Sequence, residues 1–95
     1  MSFAREDFNA GFLRCAVLEF TEIGDILPMH RHDDRDVHIS AVLLGTFLVR
    51  QPEQEDLILR PGSILDWPIG TAHEWEVLSI DAKHGVARIL NTLKL

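Results

Sequence analysis

Five histidines stand out among the chemically capable residues of this 95-residue chain: His30, His32, His38, His73 and His84. His30 and His32 flank Arg31 as His-Arg-His. On a β-strand alternate side chains share a face, so both imidazoles would project to one side. Such a pair suits a divalent metal, whose nitrogen ligands sit about 2.0–2.1 Å away and must converge. The same pair opens the charged stretch His-Arg-His-Asp-Asp-Arg-Asp, residues 30–36. An exposed charged turn is the commoner fate of an isolated H-x-H. The pair alone leaves both readings open. The chain has no tyrosine, so no phenol is available as a general acid. Its one cysteine, Cys15, can form neither an internal disulfide nor a cysteine-based zinc cage.

Nine basic against fifteen acidic residues give a net charge of −6, with no basic tract. That sign is wrong for a protein that gains affinity by displacing counterions from phosphates, so no nucleic-acid partner is expected. The longest nearly apolar run, Ala41 to Val49, has nine residues and includes Gly45 and Thr46. A spanning helix needs about 20 apolar residues, so no membrane partner is expected. Residues 1–10 carry charges of both signs and no apolar signal core, which points to a cytoplasmic protein. Apolar residues at 46% and charged residues at 25% predict a folded core, and the length predicts one domain over residues 1–95.

The elements that must position these residues read as β. Breakers recur at short intervals (Gly24, Pro28, Gly45, Pro52, Pro61-Gly62, Pro68, Gly70, Gly85), with runs rich in branched and aromatic residues between them. Phe12 to Thr21 reads as a first strand. Val37–Leu43 and Phe47–Arg50 flank Gly45 and read as a hairpin, with the glycine supplying the turn. Pro61-Gly62 fits the centre of a type II turn between Asp56–Leu59 and Ser63–Trp67. Gln51 to Asp56 reads as a solvated turn and His73 to Ile80 as a further strand. In the tail, Val86, Ile89, Leu90 and Leu93 match helical spacing, while Val86, Arg88 and Leu90 match a strand. The β character of the rest favours a final strand through Leu90.

Two spaced motifs carry a family resemblance. Gly24, His30, His32, an acidic stretch, His38 and Gly45 resemble the first motif of the cupin superfamily. Pro61-Gly62, Pro68-Ile69-Gly70 and His73 resemble the second. The likeness runs from Gly24 to Val77, more than half the chain, and points to a small, single-domain cupin of the cupin-2 type. It implies an all-β fold, a small antiparallel β-barrel or double-stranded β-helix of jelly-roll type. It also implies one divalent metal inside, held by two histidines and a glutamate of the first motif and the histidine of the second. His30, His32 and His73 match directly; the glutamate does not. Its usual place holds Asp36 and Val37, whereas the motif's spacing of six intervening residues before Gly45 reaches His38. Register counted from Gly45 favours His38 as the fourth ligand, with Asp36 as the alternative.

Four neutral imidazoles would leave the double charge of the metal uncancelled, making it a stronger Lewis acid. Imidazole suits zinc, copper, iron and nickel, so ligand type does not choose among Fe, Zn, Ni, Cu or Mn. Counting by two from the histidines places Ser40, Val42, Trp75 and Val77 inside as a substrate pocket, and Glu74 and Glu76 outside. Trp67 lies at a strand end and packs in either direction. Arg14, Arg50 and Arg88 are expected on exposed faces or an interface, and His84 in a surface turn.

The resemblance thus implies a metal-dependent protein acting on a small organic metabolite, by oxygenation or by Lewis-acid isomerase or lyase chemistry. Non-catalytic alternatives are a ligand-binding or sensing module and a metal-free scaffold, since one fold hosts many functions. The apolar first strand and tail (Phe8, Phe12, Leu93, Leu95) lead us to expect a homodimer that covers a strand edge.

Overall fold

Period-two alternation of apolar residues runs through most of the chain, and the structure follows it. A computed structural model describes residues 3–30, 38–67 and 72–94, and omits the side chains of Phe3, Met29, His30 and Lys94. Every regular element among the described residues is a strand: β1 (Phe3–Ala10), β2 (Leu13–Phe20), β3 (Ile26–His30), β4 (His38–Leu44), β5 (Thr46–Arg50), β6 (Leu57–Leu59), β7 (Ile64–Asp66), β8 (His73–Ser79) and β9 (Ala87–Lys94). They form two antiparallel sheets, in the orders β1-β2-β9-β4-β7 and β3-β8-β5-β6. Chain neighbours repeatedly sit in different sheets, which is the jelly-roll pattern. Among the described residues no helix is long and apolar enough to cross a membrane.

Gly45 does not make the expected hairpin. β4 pairs with β7 and β9, whereas β5 pairs with β6 and β8. The glycine instead carries the chain from one sheet to the other. Its φ is +78°, and a Cβ there would stand 2.6 Å from the Ser79 carbonyl oxygen and 2.7 Å from the Ala87 Cβ. Alternation marks where a strand ends, not which strand pairs with it. The Pro61-Gly62 turn is as expected: Gly62 has φ +93°, and the Ser63 N–H donates to the Arg60 carbonyl over 2.9 Å. It too joins strands of different sheets.

The strand expected from Phe12 is preceded by another, β1, which the sequence reading did not anticipate. Residues 4–10 are exposed on both faces, and β1 is held by its ladder to β2 from Phe3↔Phe20 to Ala10↔Leu13. With no buried face, it shows no apolar alternation to read. The tail is a strand, as expected, and β9 runs on to Lys94 between β2 and β4.

The two sheets meet through large side chains. Phe20, Phe47, Val49, Trp75, Val77 and Ile89 are fully buried. Phe20 and Phe47, from opposite sheets, pack edge to face with centroids 5.6 Å apart, and Phe47 does the same with Trp75 at 5.5 Å. Each such side chain stabilises the fold by about 1.5–3 kcal/mol through burial. This packed end supports the histidine end of the interior.

Candidate metal centre

β4 and β8 carry matching inward rows. His38, Ser40 and Val42 are buried and alternate with Ile39 and Ala41; His73, Trp75 and Val77 are buried and alternate with Glu74 and Glu76. His38 is 4% and His73 1% exposed. Because β4 and β8 lie in opposite sheets, the two rings meet across the interior, with centroids 5.2 Å apart and planes at 51°. Trp67 closes the group. Its indole stacks on His73 at 4.4 Å and 29°, and lies 6.3 Å from His38.

Hydrogen bonds hold Trp67 in that place. Its backbone N–H donates to the His38 carbonyl over 2.8 Å. Its indole Nε1–H donates to Ser40 Oγ over 2.8 Å, and Ser40 Oγ donates to Asn91 Oδ1 over 2.5 Å. Trp75 points inward nearby, with rings 6.2 Å from Trp67. Its buried Nε1–H makes no hydrogen bond among the described residues.

The separation of these two rings can be set against that of two imidazoles on one divalent metal. A nitrogen about 2.0–2.1 Å from a metal puts its ring centroid about 3.2 Å away, so two ligating rings lie roughly 4.5–5.3 Å apart. The observed 5.2 Å falls in that range. Stacking uses the face of His73 and not the ring edge that carries its nitrogens. Among the described residues no three His, Cys, Asp or Glu side chains converge. His30 ends β3, and its backbone lies directly across from His73 in the β3–β8 ladder. The side chain of His30, and all of His32, Asp36 and Pro68-Ile69-Gly70, lie outside the described residues.

The remaining expectations resolve plainly. Arg50 pairs with Glu74 at 3.2 Å and Glu76 at 2.6 Å on the outer face, and the Glu76 hydrogen bond raises its pKa. Arg88 pairs with Glu19 at 2.6 Å and Arg14 with Asp7 at 3.5 Å. Among the described residues the buried polar side chains are His38, Ser40 and His73, so no described arginine lines the interior. His84 bonds Asp81 at 2.7 Å in an exposed turn, away from the site. The sequence reading left the direction of Trp67 open and did not single out Asn91. Counting by two from Ala87 and Ile89 along β9 would have reached Asn91 on the inward face.

The ends of the two sequence motifs also meet, since the Gly24 N–H donates to the Val77 carbonyl over 2.9 Å. The strand arrangement recurs in solved structures. KdgF from Halomonas sp. superposes with a TM-score of 0.79 at 22% identity, covering 97% of this chain and 79% of that one. An RmlC-like cupin protein from Desulfovibrio desulfuricans superposes with a TM-score of 0.79 at 20% identity, covering 97% and 81%. The fold is that of the cupins. The cupin barrel is also similar to DMSP lyase DddQ from Ruegeria pomeroyi, with a TM-score of 0.77 at 19% identity over 98% of this chain and 47% of that one. No family model and no curated protein matches the sequence. Identities this low establish the cupin fold alone.

Proposed function

We propose that this cupin holds one divalent transition metal through His30, His32, His38 and His73 and acts on a small organic molecule. The approach of His38 and His73 from opposite sheets carries the reading. A metal of this class (Fe, Zn, Ni, Cu or Mn) supplies Lewis acidity when bound. Beside it, Trp75 offers a buried N–H to an oxygen of the ligand, and Val42 and Val77 lie further along the same inward rows. A buried donor left unmade costs about 1–3 kcal/mol, which an acceptor on the ligand would recover. One structural neighbour is a lyase by name, which is consistent with catalysis on this fold.

A second reading, a ligand-binding or sensing module, has an observation of its own. Among the described residues, no carboxylate is buried in the interior to move a proton, and Glu74 and Glu76 are tied to Arg50 outside. The experiment is elemental analysis of the purified protein and of single alanine variants at His30, His32, His38, His73 and Asp36. One metal per chain, lost in the four histidine variants and kept in Asp36→Ala, supports the reading. Retention in His38→Ala with loss in Asp36→Ala transfers the fourth position to Asp36. A protein without metal, indifferent to chelator, leaves a scaffold. Turnover of a small oxygen-bearing substrate by the loaded protein then separates enzyme from binding module.

We also propose that the chain is a homodimer. β1 is the outer strand of its sheet, and the hairpin it makes with β2 exposes Phe12 in the turn at 86% and Phe8 on β1 at 46%. An open edge with apolar side chains favours pairing with a second copy.

A further inference from the structure

We propose that Trp67, held by Ser40 and Asn91, is a positioning residue that fixes the ring of His73 and thereby sets how tightly a divalent metal is held. This rests on the metal-binding reading above. Ser40 and Asn91 are direct partners in the β4–β9 ladder, so the 2.5 Å bond between them spans the shortest cross-strand path. The Ser40 hydroxyl has one proton and spends it on Asn91 Oδ1. Its oxygen is then turned to accept from the Trp67 indole at 2.8 Å. The Trp67 backbone is tied to the His38 carbonyl at 2.8 Å, so the indole is fixed at both ends. What it presents is a flat face against His73 at 4.4 Å.

Asn91, Ser40 and Trp67 all belong to or adjoin the five-stranded sheet, while His73 is on the four-stranded one. The relay therefore lets one sheet set the ring orientation of a residue on the other. It acts through the ring face and not through a ring nitrogen, unlike the hydrogen-bonded carboxylates that commonly orient metal-binding histidines. It also reassigns Ser40. With its proton committed to Asn91, the hydroxyl serves the indole in place of the substrate contact expected from sequence.

The test is zinc affinity, measured by competition with a chromophoric chelator, in the wild type, Ser40→Ala, Trp67→Leu, Trp67→Phe and Asn91→Asp. Groups that orient metal ligands typically change affinity about 10–100-fold. Ser40→Ala and Trp67→Leu are expected to lose that much. Asn91→Asp, which keeps an oxygen acceptor for Ser40, stays near wild type. A metal-free readout accompanies it: the Trp67 indole N–H, slow to exchange in the wild type, exchanges fast in Ser40→Ala. Should Ser40→Ala fail to fold, Trp67→Phe, which lacks the N–H but keeps an aromatic face, carries the test with the same expected loss. Wild-type affinity in Ser40→Ala and Trp67→Leu (or in Trp67→Phe where that variant stands in) overturns the relay alone. A wild-type protein that binds no zinc overturns the metal reading and the proposal with it.

Discussion

His38 and His73 reach each other from opposite sheets, their ring centroids 5.2 Å apart in the interior of the barrel. Neither strand alone brings two such rings together. Replacing either by alanine removes one donor from the centre, so metal content by elemental analysis should fall below about a tenth of wild type. Far-UV circular dichroism should remain that of a β-protein. Full occupancy in both variants would refute the shared site.

Gly45 sits where a side chain has no room and where the backbone is left-handed, at φ +78°. Gly45→Ala should destabilise the fold by about 2–4 kcal/mol, combining backbone strain with overpacking against Ser79 and Ala87. Urea unfolding measures it. A midpoint equal to wild type would show that the crossing between sheets relaxes freely.

Phe47 joins Phe20 to Trp75 through edge-to-face contacts at 5.6 and 5.5 Å. Truncation to alanine leaves a cavity between the sheets, with an expected loss of about 3–5 kcal/mol. Because Trp75 loses a neighbour, its fluorescence should also shift in the folded variant.

Asp81 accepts from both the ring and the backbone N–H of His84, at 2.7 and 2.9 Å. The side-chain hydrogen bond from His84, the largest cause, holds its carboxyl below the ordinary carboxylate value. The bonded carboxylate therefore contributes stability above the value of the unfolded chain. That contribution is lost as pH falls through the lower folded value. Melting temperature followed on the acid side should decline less steeply in Asp81→Asn than in wild type; parallel curves would count against it.

Light scattering at micromolar concentration should give twice the chain mass. Phe8→Asp combined with Phe12→Asp, which places charge on the exposed hairpin, should give the monomer. A wild-type monomer would remove the dimer.

Much of the fold was legible before any coordinates. His38, Ser40 and Val42, and His73, Trp75 and Val77, are inward as counting by two predicted, because a strand offers only two faces. β1 was not legible, since a strand exposed on both sides has no apolar pattern to betray it. Trp67 and Asn91 escaped for a different reason. Their roles come from partners on other strands, and spacing along one segment carries no information about those partners.

The order of residues decided where strands run and which side chains turn inward, His38 and His73 among them. Those are local consequences of alternation and of the special backbone of glycine and proline. Pairing was decided only in three dimensions: that Gly45 crosses between sheets, that His38 faces His73, and that Ser40 serves Trp67. Burial of two apolar faces against each other selects these contacts, and that free energy belongs to the assembled barrel, not to any single segment.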